Sequence, residues 1–141
     1  MGQMTKILTT ICLISGGIMP ILVDVSASHL LNPDWDSHAR VHEAWRLSTN
    51  FLVFCVGVYL LWKKNSEMLA SVLSLCIHFG FVIGALLMPL YGGQPVGEGI
   101  IEPEVLKVPL NVLFFSFMFF IQSTVIVFLL KKQNPLQGTQ R

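Results

Sequence analysis

The run Asn32-Pro33-Asp34-Trp35-Asp36-Ser37-His38-Ala39-Arg40-Val41-His42-Glu43-Ala44-Trp45-Arg46 gathers two histidines, two arginines, three carboxylates and two tryptophans between two apolar stretches. Such groups are costly beside hydrocarbon unless they bind, pair or react, so their density marks a functional site. His38 and His42 are four residues apart, which on a helix puts them on one face with Trp45 and Arg46. Two imidazoles so spaced can share a divalent metal if His29, Asp24 or the acidic connection ahead of the last span supplies a third ligand. Alternatively, a histidine paired with Glu43 or Asp24 can move a proton on an apolar substrate while Arg40 or Arg46 holds a developing negative charge. The plainer reading is a structural network of histidines and salt bridges. Nothing in the sequence requires a cofactor.

The elements around this run are hydrophobic. The chain has 141 residues, 53% of them hydrophobic and 12% charged, with a mean hydropathy of +0.67, outside the range of ordinary soluble domains. Four runs reach the roughly 20 residues needed to cross a bilayer: Ile7 to Ala27, Ala44 to Trp62, Met68 to Tyr91 and Val108 to Leu130. Little remains outside them, so residues 1–141 form one transmembrane domain, an all-α integral membrane four-helix bundle. The first run also has the three regions of a signal peptide, with Lys6 ahead of it and Ser26-Ala27-Ser28 behind. Its length and its late Pro20 and Asp24 favour a span.

Lys6, Lys63, Lys64, Lys131, Lys132 and Arg141 fall on one side of the spans, and Arg40, Arg46 and Lys107 on the other. This asymmetry predicts both termini in the cytoplasm. Of the acids only Glu67 then lies inside, and the other seven gather at the outer end. Trp62 at one end and Trp45 and Tyr91 at the other suit interfacial aromatic belts. The connection from Gly92 to Glu104 is glycine-rich and acidic, and Glu98, Glu102 and Glu104 could close as a lid over the histidine run.

Within the spans, Ser71, Ser74 and His78 share one face of the third, Asn111 and Gln122 a face of the fourth, and Asn50 and Gly57 a face of the second. Hydrogen bonding between helices is their simplest use. His78 is also a candidate substrate-binding residue, because an imidazole inside a membrane is rare and can exchange a proton. Ligation of a haem by His42 and His78 is a further possibility. Cys76, Gly80 and Gly84 make a smooth stripe for a close neighbour, and Gly16, Gly17 and Pro20 predict a kink in the first span. Cys12, Cys55 and Cys76 all lie in spans and read as packing residues.

The order of a histidine, two residues, Asn-Pro-x-Trp, two residues and His-Ala-Arg/Lys-x-His, here His29 with Asn32 through His42, resembles that of a family of small four-span membrane proteins of bacteria and fungi. The resemblance runs from about Asp24 through the second span, with an echo at Glu102-Pro103-Glu104. The chain departs from the pattern at Asp36-Ser37, where the family has prolines, and at Glu43-Ala44-Trp45. The resemblance implies the four-span fold and gives weight to His29, Asn32, Trp35, His38, Arg40 and His42. That family has no established activity, so no reaction follows from it. A more distant likeness, in size and acid placement, is to the superfamily of sterol isomerases and sigma-2-type ligand receptors, where carboxylates and a histidine project into a lipid-accessible cavity.

Together these features predict a multi-pass protein whose outer-face site binds a lipidic or small apolar molecule and acts on it by acid–base chemistry. In that site His38, His42, Glu43 and Asp24 are the reactive groups, and His29, Asn32, Trp35, Arg40, Arg46 and His78 bind. The alternatives are a non-catalytic scaffold or complex subunit, and a metal- or haem-binding membrane protein. A transporter is disfavoured by the lack of an internal repeat. There is no nucleotide-binding glycine loop, no nucleic-acid partner is expected, and self-association is possible.

Overall fold

The computed structural model describes residues 2–97, 101 and 103–133. Two helices, α1 (Gln3–Gly17) and α2 (Met19–Asp24), form the first rod. They are followed by α3 (Ser37–Trp62), α4 (Glu67–Tyr91), the short strands β1 (Glu104–Val105) and β2 (Val108–Pro109), and α5 (Leu110–Gln133). The fold is an all-α four-helix bundle, with β1 and β2 forming an antiparallel hairpin. The four rods contain 22, 26, 25 and 24 residues and are long and apolar enough to cross a membrane. At about 1.5 Å per residue each exceeds the roughly 30 Å of a hydrocarbon core.

Local chemistry sets the breaks. The first rod is interrupted at Ile18, two residues before Pro20, whose ring cannot donate the helical hydrogen bond to Gly16. The Asp36 carboxylate caps α3 by accepting from the His38 backbone N–H at 2.8 Å. That helix therefore starts at Ser37 and carries the histidine run outward as a continuous extension of the span that begins at Ala44. Gly92 ends α4 in the left-handed region with φ 69°.

Around the bundle the order is α1, α3, α4, α5, and α1 also reaches α4 across the centre. The lysine end brings Lys6 onto Asn65, with Nζ donating to Oδ1 at 2.8 Å, and places Lys132 beside Glu67 around one open pocket. The opposite, histidine end holds residues 24 to 46 and the connection between α4 and α5. Close packing depends on Gly16, Gly17 and Gly57, where an added Cβ would run into Ile77, Phe54 and Leu13 respectively. The expected Cys76–Gly80–Gly84 stripe is not a close contact: Gly80 and Gly84 have nothing within 4 Å of a Cβ position, Gly80 being exposed and Gly84 lining an open pocket beside α5.

The distribution of polarity is inverted relative to a soluble domain. Leu22, Leu86 and Leu90 are exposed at 71, 73 and 81%, while Thr9, Ser71, Ser74, His78 and Gln122 are buried at 1% or less. The apolar core proper is small, with Leu13, Leu61 and Ala70 at its centre and Phe54, Val58 and Leu60 against it.

Candidate functional site

At the histidine end, the residues singled out from sequence divide into two groups. Arg46 is the hub of the first. Its guanidinium donates to Asp24 of α2 at 2.5 Å and to both oxygens of Glu43, one turn back on α3. The Asp24 and Glu43 side chains are only 16 and 13% exposed, so Arg46 compensates two carboxylates largely withdrawn from solvent. His29 approaches Asp24 at 3.8 Å through Nε2, and its Nδ1 meets Ser28 Oγ at 2.9 Å. Trp35 stands edge-on to His29 at 6.0 Å. Asn32 closes the turn before α3 by accepting the Asp34 N–H at 2.9 Å. These contacts gather the 25–36 connection around His29 and Asp24, and Asp24 is held to α3 by Arg46.

The second group is the pair His38 and His42. Their Nε2 atoms are 3.0 Å apart, so one ring donates N–H and the other accepts. The rings meet edge to face at 4.5 Å, and His42 stacks on Trp45 at 6.1 Å. Both histidines are exposed. Among the described residues neither has a carboxylate within ion-pair distance, because Asp24 and Glu43 turn to Arg46. Nor do three histidine, cysteine or carboxylate side chains converge on a metal position among the described residues. The expected union of the pair with Asp24 or Glu43 is thus replaced by two adjoining clusters, and the third metal ligand sought in His29 or Asp24 is engaged elsewhere. Arg40, half-buried next to the pair, makes no side-chain ion pair among the described residues.

Of the proposed acidic lid, Glu98 and Glu102 lie outside the described residues. Glu104 is exposed on the hairpin. Asn111 ties this connection to α5 by donating from Nδ2 to the Pro95 carbonyl at 2.6 Å. An apolar pocket of about 220 Å³, lined by Phe81, Gly84, Met88, Tyr91, Pro95 and Val112, opens between α4 and α5, on a different edge from the ionic cluster on α2 and α3.

His78 is elsewhere, fully buried among α1, α4 and α5. Its Nδ1 lies 2.8 Å from the Ser74 carbonyl and its Nε2 3.0 Å from Ser15 Oγ, which leaves neither nitrogen for a haem iron. It ends a series of interior polar contacts: Thr5 with Glu67 at 3.0 Å, Thr9 with Ser71 at 3.1 Å, and Gln122 with Thr9 at 3.5 Å. Glu67, read from sequence as a loop acid, is 7% exposed and belongs inside. The α1 members of this series, Thr5, Thr9 and Ser15, have a helical spacing visible in the sequence but hidden within an otherwise apolar run.

Compared with protein-family models, with curated proteins and with solved structures, the chain matches none.

Proposed function

We propose that this is a multi-pass membrane protein, with both termini cytoplasmic, that binds a lipidic or other amphipathic molecule along the outward face of α3 and exchanges a proton with it at His38 and His42. The carrying observation is one exposed stripe at alternating spacings of four and three: His38, His42, Trp45, Thr49, Leu52, Val56 and Tyr59. It begins with an imidazole pair and an aromatic ring, passes Thr49 and the aliphatic Leu52 and Val56, and ends on the ring of Tyr59. Polar head and apolar body of an amphiphile fit that order. From His42 to Val56 the stripe runs about 21 Å, enough for the roughly 15 Å depth of one leaflet.

Acid–base chemistry is supported by the pairing itself. Two imidazoles 3.0 Å apart hold a proton between them, so either can give it to or take it from a third atom at the exposed edge. The Asp24–Arg46–Glu43 cluster then has a positioning role, fixing the start of α3 against α2. The membrane setting is supported by the four apolar rods with outward-facing leucines, and the orientation by five lysines at one end against Arg40, Arg46 and Lys107 at the other.

Native mass spectrometry of protein extracted from its membrane tests this reading. Wild type is expected to retain a small amphiphile, and His38→Ala and His42→Ala each to lose it with the fold intact. Equal retention by all three would overturn the reading. A second reading, that of a subunit in a membrane complex, is favoured by the uncovered Gly80 and Gly84 face of α4. Retention of a protein in place of a small molecule would support it.

A further inference from the structure

We propose that the bundle contains a proton-access path running from Glu67 at the lysine end, through the Thr9–Ser71–Gln122 contacts, to a proton-accepting site at His78, where it stops. Glu67 and His78 are eleven residues apart on α4, or about 16 Å, half a hydrocarbon core. At the mouth, Glu67 is among the residues lining an open pocket of about 580 Å³ at the lysine end, with Asn65, Ser66 and Lys132.

The hydroxyls at the two ends of the path share one design. Ser15 Oγ is 2.9 Å from the Cys12 carbonyl and 3.0 Å from His78 Nε2, yet it has a single proton. Nδ1 of His78, facing the Ser74 carbonyl, must carry a hydrogen. When His78 is neutral, Ser15 donates to Nε2. When Nε2 is protonated, it donates to Ser15, and the Ser15 hydroxyl turns to Cys12. Both ring nitrogens of His78 keep a partner in both states, so the site accepts a proton by rotating one hydroxyl, whose bond to the Cys12 carbonyl is made only in the protonated state. Thr5 does the same for Glu67: its Oγ1 lies 2.7 Å from the Gly2 carbonyl and 3.0 Å from Glu67 Oε2. An ionised Glu67 accepts from Thr5, and a protonated one donates to it while Thr5 turns to Gly2.

Along this path, three buried atoms have no hydrogen-bond partner among the described residues: Glu67 Oε1, Ser74 Oγ and Gln122 Oε1. Each has the capacity for another bond, as a chain of water molecules linking carboxylate to imidazole requires. The groups facing His78 are Ser15 and Gly16 of α1, the Ser74 carbonyl of α4 and the Phe115 ring of α5, with no ion pair to it among the described residues. Cys12 is the titratable group nearest on α1, through the shared Ser15. Phe115 stacks on Phe81 at 4.5 Å on the side toward the histidine end, and the chain from Ile18 to Val23 adds no polar side chain there. In the transfer, a proton from water at Glu67 becomes the Nε2 proton of His78, imidazole becomes imidazolium, and only O–H and N–H bonds change. The proton returns by the same route.

Nitrogen-15 NMR of histidine-labelled full-length protein in lipid nanodiscs tests this, with the His78 signals assigned by their loss in His78→Gln. Lowering the pH between about 9 and 4 should protonate Nε2 while Nδ1 keeps its hydrogen. Exchange of the ring hydrogens with water should slow by about an order of magnitude in Ser71→Val/Gln122→Leu. It should be unchanged in Thr124→Ala, which removes an exposed α5 hydroxyl. Single Gln122→Leu carries the same expectation if the double variant does not fold. A His78 ring that never gains a proton over this range, or exchange as fast in the blocked variants as in wild type, would overturn the proposal.

Discussion

Arg46 concentrates the stability of the histidine end in one side chain. Replacing it with methionine leaves Asp24 and Glu43 withdrawn from water without their cation. Because Arg46 is itself 44% exposed, the cost should be about 2 kcal/mol, less than for a fully buried pair. Removing both acids with it, as Asp24→Asn/Glu43→Gln/Arg46→Met, should recover much of that loss in thermal unfolding in detergent. The His38–His42 contact depends on both rings together. It needs one ring to donate N–H and the other to accept. Amphiphile retention should therefore be low in His38→Gln/His42→Gln, and each single Gln variant should lose nearly as much as the double variant. The spacing of four between these histidines was legible in the sequence. The Asp24–Arg46 bond was not, because it joins residues 22 apart across a turn whose path no periodicity encodes.

At the level of elements, the spans were legible because hydropathy and length suffice to find them. Which face of each helix turns inward was legible only in part. Ser71, Ser74 and His78 do share an inner face, but the glycines chosen for close contact on α4 meet no close neighbour, while Gly57, Gly16 and Gly17 lie at real contacts. A small residue permits approach without saying from which side the neighbour comes. Gly57→Val forces a side chain against Leu13 and should destabilise the α1–α3 contact by about 1–3 kcal/mol. Gly84→Ala should leave the melting temperature unchanged. The hairpin before α5 was missed because its turn, Leu106-Lys107, adopts φ of 54° and 65° without the glycine or asparagine that normally signals it.

For the whole molecule, the bundle combines a lipid-compatible exterior, an ionic clasp at one end and a polar interior at the other. Its proposed orientation predicts that, with Cys55 and Cys76 replaced by alanine, Ser37→Cys reacts with an impermeant reagent from outside and Ser66→Cys only after the membrane is opened. Reversed labelling would turn the molecule over. The most direct test of the central claim is photocrosslinking in vesicles containing a phospholipid with a diazirine in its acyl chain, followed by mapping of the modified peptide. If an amphiphile lies along α3, label should concentrate on Trp45, Leu52 and Val56 in wild type and fall to the level of the other helices in His38→Ala/His42→Ala. Equal labelling of α3 and the exposed face of α4 in wild type, unaffected by loss of the histidines, would contradict it.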